Sequence, residues 1–542
     1  MVAHAPCGVL THSRAPERHR NSPPAETGAD GPTKPTPMRT QLLWLKRDLR
    51  LDDHRALAKA ALQGPVVGLY VFEEGLLRHP DTDPSHVQFT IDALTELRAR
   101  WEERGGLLLV RVGTVIEQLE RLHRDLGFED LWSHQETGSR WTYDRDLRVQ
   151  RWARERGVTW REPWQHGVVR RLRTRDGWAG NWARRMGLPL APTPKRLDPP
   201  EGCALDPGRI PTLAELGLGT SPRVGAQRGD ESAARETLTS FLQQRSVDYR
   251  AAMASPVEGW DACSRISPHL AFGTLSLRRA VHETAARIEQ LRTARAEGED
   301  VPATWLPSLA SFQSRLSWHC HFMQRLEDAP DMEDRELNPA YAGMNEGHQD
   351  ERLLTAYAEG RTGYPMVDAS MRCLRATGWL NFRMRAMLVS FGTHHLAQRW
   401  QDVGRVLAPL FLDYEPGIHW SQVQMQASVV GINTVRIYSP EKQARDQDPE
   451  GTFVQRWVPE LEGVPPESLP APHATPPLLL ASLGLDDLES RYPRPLVDPR
   501  EAVRAARERI AAVRGQAGTR HASREVHRKH GSRKAPRRRA HR

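Results

Sequence analysis

The stretch QLLWLKRDLRLDDHRALAKAA, residues 41–61, joins an apolar run to a helical pattern. The run from Leu42 to Leu45 is typical of a buried strand, and the helix is expected to begin near Asp53. The same alternation repeats up to about residue 170. Strands that alternate with helices pair in parallel through right-handed crossovers, so this alternation predicts a Rossmann-like parallel sheet. Further strands are predicted at 64–72, 107–113 and 128–135, and helices at 86–105, 114–127 and 141–157.

The rest of the chain differs in composition from this α/β domain, 41–170. Residues 171–235 are rich in Pro and Gly, which predicts a long inter-domain connector. From 236 to 480 strand patterns almost vanish and apolar residues recur at helical spacing, so we expect an all-helical domain. Residues 1–40 have a polar, Pro-rich composition without a period and are predicted to be disordered. We expect the same of most of the basic tail, 481–542.

The net charge of +8 is concentrated in that tail. Residues 501–542 hold 14 Lys and Arg against three Glu, whereas residues 41–500 carry a net charge of −5. A slightly acidic body can grip nucleic acid only through a local basic patch. The tail either tethers nucleic acid without sequence preference or is a solubilising extension, and the sequence leaves both possibilities open.

Several classes of protein are disfavoured. No run of about 18 uncharged apolar residues is present, so we expect no membrane span, and the N-terminus lacks a hydrophobic stretch of signal-peptide type. The five cysteines lie far apart without C-x-x-C, which argues against a disulfide framework or a metal site and fits a reducing cytoplasm. Neither G-x-G-x-x-G nor G-x-x-x-x-G-K-[ST] is present, so phosphate binding by those loops is not supported.

Residues 360–391, GRTGYPMVDASMRCLRATGWLNFRMRAMLVSF, place five arginines in an apolar, helix-forming stretch. Buried charges need partners. For Arg383 and Arg385 the obvious partners are the acids near the Pro-Gly bend of LDYEPGIHWSQVQMQ, residues 412–426. Arg372 is expected to pair with Asp368 at i,i+4 spacing, and the remaining two arginines to be surface or loop charges.

A second motif, CSRISPHLAFGTLS at 263–276, puts hydroxyl groups just ahead of a predicted helix start. Hydroxyls and free backbone N–H groups at a helix N-terminus suit a phosphate, but taken alone the motif is better explained as an ordinary helix cap.

With these motifs in this order, the chain resembles the photolyase/cryptochrome family of flavoproteins. The resemblance covers about 41–465 and is strongest in GRTGYPMVDASMRCLRATGW and DPEGTFVQRWVPEL, residues 360–379 and 448–461. It implies an N-terminal antenna domain, a long connector and a C-terminal helical domain that binds a U-shaped FAD. It also implies light-driven electron transfer from reduced FAD to a pyrimidine dimer flipped out of DNA, with no general acid or base needed for a cyclobutane lesion.

Matching residue by residue implies the site. The phosphates and ribityl chain would contact Tyr249, Ser264, Arg265, Ile266 and Ser267. Phe312, Trp318 and His319 would line the cavity, and Arg385 would pair with Asp413 beside the isoalloxazine ring. The cofactor-binding set is completed by Arg315, Trp379, Glu415 and His419. The resemblance also implies contacts of Trp318, Arg383 and Met425 with nucleic acid, and roles in the chemistry for Trp318, His419 and Trp400, the last at the position of the middle tryptophan of the family's electron chain.

Several positions that touch the lesion in the family have changed. The glutamate that faces the dimer falls at Arg315, the methionine falls at Ala386, and the Trp-Gln-Trp element reads Val423 to Met425. The asparagine that faces the flavin N5 falls at His419, so a histidine would tune that proton. The two positions where the family has a histidine pair for the repair of (6-4) lesions are occupied by Phe382 and Ala386. Trp420, Tyr414 and Tyr438 are alternative electron carriers or packed core aromatics.

Three functions follow as hypotheses. The first is a divergent DNA photolyase acting on UV-damaged DNA, the second a cryptochrome-like blue-light receptor, and the third a flavoprotein relic that binds nucleic acid through its tail. The first is favoured by analogy with the family. A second, antenna chromophore of folate or deazaflavin type is compatible with the family, and a monomer is expected.

Overall fold

The computed structural model describes residues 39–219 and 223–532, so the predicted disordered extension 1–40 lies almost wholly outside the described residues. A five-stranded, all-parallel sheet of order β3-β2-β1-β4-β5 forms the N-terminal half. The strands are β1 Gln41–Trp44, β2 Val66–Phe72, β3 Leu107–Val112, β4 Asp130–Trp132 and β5 Thr159–Arg161. The predicted Rossmann-like fold is therefore confirmed, and the short fifth strand is an addition to the prediction.

Helices connect these strands and make up almost all of the C-terminal half. No helix of the described ranges has the length and apolarity needed to cross a membrane. The helices are α1 Arg55–Ala61, α2 Glu74–Leu77, α3 Pro84–Glu102, α4 Val115–Leu126, α5 Arg140–Glu155, α6 Trp178–Met186, α7 Glu231–Ser240, α8 Tyr249–Ala252, α9 Glu258–Ala262, α10 Ser267–Phe272, α11 Leu277–Ala296, α12 Trp305–Asp328, α13 Glu351–Glu359, α14 Pro365–Thr377, α15 Phe382–Ser390, α16 Trp400–Leu407, α17 Pro416–Gln426, α18 Pro440–Gln447, α19 Thr452–Trp457, α20 Pro477–Ser482, α21 Leu488–Arg491, α22 Pro499–Gly515 and α23 Thr519–His530.

The sheet is buried on both faces, which explains why its strands read as continuous apolar runs. Leu42 and Leu43 of β1 point to opposite faces and both are fully buried. Gly68, opposite Leu43 in β2, lets a helix approach closely, since a Cβ there would lie 3.0 Å from the ring of Trp101 in α3. This packing fixes β1 at the centre, and the loop that follows β1 faces the helical half.

The arginine-rich stretch forms α14 and α15. Asp368 is buried in α14 and accepts hydrogen bonds from the backbone and hydroxyl of Thr362 and from Tyr492. The expected pairing of Arg372 with Asp368 is wrong, because Arg372 Nη1 instead donates to Glu460 Oε2 at 2.7 Å. A carboxylate already satisfied by neutral donors leaves the guanidinium free to reach the neighbouring segment.

The tail differs from the expectation of disorder over 481–542. Helices α22 and α23 occupy much of its described part, and Ala506, Ile510 and Val526 are buried. Arg509 Nη2 donates to the carbonyl of His394, which fastens α22 to the segment after α15. The apolar residues 506, 510 and 513 are spaced by four and three positions, which gives α22 a narrow packing face. The many arginines of the segment make its overall composition look disordered all the same.

Candidate functional site

Four helices and the loops beside them enclose a cavity of about 320 Å³ in the helical half. The walls come from the start of α10, one face of α12, the start of α15 and one face of α17. Eleven of the thirteen predicted cofactor-binding residues line it: Tyr249, Ser264, Arg265, Ser267, Arg315, His319, Trp379, Arg385, Asp413, Glu415 and His419. The sequence motifs around 263, 315, 385 and 413 thus converge on one space, while contact with a cofactor stays a prediction.

The other two predicted residues, Ile266 and Phe312, do not line this cavity. Ile266 is buried in the hydrophobic core beneath α10. Phe312 lies on the helical stripe that includes Arg315 and Trp318, but the ring of Tyr249 packs across it at 6.0 Å and Phe241 at 4.6 Å. Tyr249 therefore takes the wall position expected for Phe312.

The guanidinium of Arg385 forms two hydrogen bonds with Asp413, with Nη1 to Oδ1 at 2.8 Å and Nη2 to Oδ2 at 2.9 Å. Arg385 also lies over the ring of Phe411, 4.4 Å from its centroid. Burial alone would raise the pKa of Asp413, but the charge and hydrogen bonds of Arg385 outweigh it and lower that pKa below its ordinary value. The pair is ionised and its geometry is fixed.

The α/β domain holds the loop that carries Asp413. His86 Nε2 lies 2.8 Å from the carbonyl of Phe411, and Arg47 Nη2 donates to the carbonyl of Tyr414 at 2.7 Å. The hydroxyl of Tyr414 bonds to Asp81. These contacts join residues more than 300 positions apart, so the sequence contained no local signal for them.

Arg265 enters the cavity between two indole rings. Its guanidinium lies 4.2 Å from the ring centroid of Trp260 and 4.1 Å from that of Trp379. Burial lowers the pKa of Arg265 to about 10, so it stays protonated at neutral pH. No carboxylate pairs with it among the described residues, and its backbone is left-handed at φ 58°. A charged donor held in this way, without a counter-ion, suits an anionic ligand group. Trp260 was not predicted from the sequence.

His419 is buried in an aromatic cage of Phe411, Tyr414 and Trp420. Its Nε2 lies 2.9 Å from the carbonyl of Gly404, so Nε2 carries the proton. Burial lowers the pKa of His419 to about 4, which keeps the ring neutral. Nδ1 can therefore accept a hydrogen bond but not donate one.

Glu415 and His319 form the deep end of the cavity, near Arg47. Burial raises the pKa of Glu415 to about 7, because Arg47 Nη1 is 3.9 Å away and compensates only in part. Burial lowers the pKa of His319 to about 4, with a contribution from the charge of Arg47. This end of the cavity holds a carboxyl group that exchanges its proton near neutral pH.

An outer cleft of about 450 Å³ continues from the cavity and shares Arg315, Trp318 and Phe382 with it. Trp318 is 39% exposed and Phe382 49% exposed, which is unusual for aromatic rings of this size. The three residues predicted to contact nucleic acid, Trp318, Arg383 and Met425, all line this cleft.

Trp400, predicted to take part in the chemistry, lies outside both spaces. It is buried 5.9 Å from Trp420, and its Nε1 donates to Glu336 at 2.9 Å. Trp420 in turn packs 4.8 Å from His419. The two indoles form a line that starts behind the cavity wall.

Asp48, His54 and His134 lie close enough together to resemble a metal site. His54 Nδ1 accepts from the backbone of Leu57 at 3.0 Å, which places its proton on Nε2, 3.1 Å from Asp48 Oδ2. His134 Nδ1 lies 2.7 Å from the same oxygen. The hydrogen bond from His134 Nδ1 and the close approach of His54 Nε2 to the same carboxylate hold these three side chains together and order the loop after β1.

A smaller cavity, about 130 Å³, lies at the carboxyl ends of β1 and β2. Trp44, Tyr70 and Phe72 line it, together with Arg145, whose guanidinium is bonded to Glu73 at 2.9 Å. Open parallel sheets bind ligands at this edge.

Comparison with known proteins shows the same two halves. Residues 41–191 match the model of DNA photolyase, and residues 312–512 match that of the FAD binding domain of DNA photolyase. A deoxyribodipyrimidine photo-lyase of Halobacterium salinarum is 30% identical over 486 residues, which cover 84% of this chain and 96% of the relative. The chain belongs to the photolyase/cryptochrome family.

Both branches of the family stand among its relatives. A cryptochrome DASH of Gloeobacter violaceus is 30% identical over 487 residues, covering 85% of this chain and 93% of the relative. A solved bacterial class III photolyase from Agrobacterium tumefaciens has a TM-score of 0.75 at 24% identity and covers 90% of this chain and 100% of that chain. That structure confirms the photolyase/cryptochrome fold.

The groups in the cavity fit the flavin of this family. Arg265 has no ion-pair partner in the described ranges, as expected of a cation that would face a pyrophosphate. Asn381 Oδ1 is buried in the wall, and it too lacks a hydrogen-bond partner within the described part of the chain. Apolar walls with a few convergent polar groups are typical of cofactor sites.

Proposed function

We propose that the protein is a light-driven DNA photolyase that uses reduced FAD to split UV-induced pyrimidine dimers. The observation that carries this proposal is the open, aromatic cleft joined directly to the flavin cavity. Trp318 and Phe382 expose flat rings at its mouth, where a packed protein would hide them.

Arg265, Ser264 and Ser267 would hold the phosphates of FAD, and the pair Arg385–Asp413 would lie beside its ring. Once bound and reduced, FAD supplies an electron donor driven by light. Arg385 adds a fixed positive charge, and its carboxylate partner prevents it from turning away. His419 would offer Nδ1 as a hydrogen-bond acceptor, since its other nitrogen is committed to Gly404.

The cleft would receive the damaged bases. A base flipped out of a strand stacks well on an exposed ring such as Trp318 or Phe382, whatever its sequence. Arg383 and Arg436 line the same cleft and would contact the flanking phosphates. Because the body of the chain is slightly acidic, these local cations would be the main source of binding energy outside the tail.

A second candidate is a cryptochrome-like receptor without repair activity. The presence of Arg315 at the family's lesion-facing glutamate, together with Val423 and Met425 in the Trp-Gln-Trp element, favours it. For either function, the smaller cavity beside Trp44 and Tyr70 is the place where a second chromophore would bind.

The test is repair of a single-stranded oligonucleotide that contains one cyclobutane thymine dimer. The FAD-loaded protein is chemically reduced and illuminated with blue light, and restored thymine is quantified against a dark control. We expect light-dependent restoration that Trp318→Ala slows strongly. Intact flavin photoreduction without any restored thymine would reject the photolyase and support the receptor.

A further inference from the structure

Four basic side chains meet where α12, the segment before α6 and the end of α23 come together. They are Arg175, His321, Arg325 and His530, and each is at most 5% exposed. His321 and Arg325 lie one turn apart on α12, and His530 is the last residue of α23. The ring of Trp178 lies between two of them, 5.8 Å from the Arg175 guanidinium and 5.9 Å from the ring of His321. Burial, together with the charges of Arg325 and Arg175, lowers the pKa of His321 to about 3.

These side chains lack the partners that buried donors require. No hydrogen bond from a described residue reaches Nε or Nη1 of Arg325, any of the three guanidinium nitrogens of Arg175, Nε2 of His321 or Nδ1 of His530. The carboxylate nearest to them is Asp328, whose Oδ2 lies 3.2 Å from Arg175 Nη2. Asp328 Oδ1 also accepts a hydrogen bond from Gln324.

Among the described residues the charges therefore do not balance. Two guanidinium groups face one carboxylate, and the pKa of Arg325, lowered to about 10 by burial and by Arg175, still leaves it protonated at neutral pH. A buried cation without a counter-ion is among the most costly arrangements in a folded protein.

We propose that this cluster is a binding site for a phosphate-type oxyanion. The guanidinium groups of Arg175 and Arg325 would bind its oxygens in the forked geometry that suits phosphate, and the two histidines would donate from the nitrogens that now lack partners. The anion would fasten the end of α23 to α12. His530 also lines a neighbouring cavity of about 450 Å³ beside α23, whose walls include Lys529 and the acidic residues Asp331, Glu336 and Glu525.

The site is distinct from the flavin cavity, and its failure would leave the proposed photolyase untouched. Arg325 is seven residues beyond Trp318 on α12, about 10 Å along the helix axis. The oxyanion is either free phosphate or a phosphate of a bound nucleic-acid strand, and the experiment separates these two sources.

The test is calorimetric titration of the full-length, FAD-loaded protein with inorganic phosphate at constant ionic strength. We expect one saturable site per chain, with affinity at least tenfold weaker in Arg325→Met and in Arg175→Met, and partial recovery in Arg325→Lys. Arg361→Met is the control, since Arg361 is exposed and far along the chain. If Arg325→Met does not fold, Arg175→Met carries the test.

A single-stranded, undamaged oligonucleotide is then added to the phosphate-saturated protein. Release of phosphate assigns the site to the nucleic-acid backbone, and retention assigns it to free phosphate. The proposal is overturned by the lack of saturable phosphate binding at millimolar concentrations, or by binding that neither methionine variant weakens.

Discussion

Asp413→Asn is the substitution that probes the cavity most sharply. The amide keeps the shape of the side chain but removes the charge opposite Arg385. In the wild type Arg385 donates two hydrogen bonds to the carboxylate of Asp413. In the variant the amide oxygen can replace only one of these two acceptor atoms. The guanidinium is left beside Phe411 with an incomplete set of partners.

The magnitude follows from the burial of the pair. Removing one partner of a buried ion pair costs about 3–5 kcal/mol, since the other charge loses its compensation. The side chain of Asp413 is 5% exposed, but that of Arg385 is 25% exposed, so water relieves part of the loss. We expect the free energy of unfolding of the FAD-free protein to fall by about 2–3 kcal/mol.

The assay is urea denaturation followed by tryptophan fluorescence, with Asp402→Asn as the matched control. Arg399 donates two hydrogen bonds to Asp402 at 2.7 and 2.9 Å, yet its side chain is 38% exposed and the pair lies on the surface of α16. The control should cost less than about 1 kcal/mol. Equal shifts in the two variants would refute the assignment of a special role to the buried pair.

The same pair predicts a pH dependence. The folded-state pKa of Asp413 is lowered, so its contribution is complete above the pKa of an unfolded aspartate, about 3.9, and is lost as the pH falls through the folded value. The stability difference between wild type and Asp413→Asn should therefore be flat from neutral pH down to about pH 5 and shrink only below about pH 4. A difference that shrinks around neutral pH would point to another group.

Three further predictions concern the ligands. Arg265→Gln should reduce the FAD retained after gel filtration tenfold or more. The urea midpoint should not fall, because no described carboxylate pairs with Arg265. Arg361→Gln is the control, and unchanged FAD content in Arg265→Gln would contradict the prediction. Trp318→Ala and Phe382→Ala should each weaken binding of dimer-containing single-stranded DNA to the FAD-loaded protein by about 1–3 kcal/mol, measured by fluorescence anisotropy. Unchanged DNA affinity in both FAD-loaded variants would contradict the prediction. Ending the chain at Ser532 removes six Lys and Arg and should reduce the salt dependence of DNA binding. The slope of log K against log salt concentration should fall by about 0.7 for each DNA phosphate that the shortened chain no longer neutralises. An unaltered slope would show that residues 533–542 do not bind DNA.

The sequence predicted those parts of the fold and the site that have local signals. The alternation of strands and helices fixed the parallel sheet, and arginines in an apolar stretch pointed to Arg385 and its acid, Asp413. Phe312 shows the limit of helical periodicity, since it occupies the expected stripe of α12 while Tyr249, from another helix, covers it. The contacts of His86 and Arg47 with the loop at 411–414 join distant segments and have no local pattern.

The prediction that most of the tail is disordered was wrong because the helices there also lack a strong local signal. Its arginines dominate the composition, and the few apolar residues that α22 buries, Ala506 and Ile510, are too sparse to predict packing from the sequence alone. Similarly, the four basic residues around Arg325 are spread over more than 350 positions, and only the fold reveals that all four are buried.

The central claim is that the cavity between α10, α12, α15 and α17 holds FAD through Arg265 and the pair Arg385–Asp413. The most direct measurement is the visible absorption spectrum of the purified chain after incubation with FAD and removal of the excess. The account predicts a bound flavin band that corresponds to one FAD per chain. A folded protein that remains colourless after this treatment would contradict it.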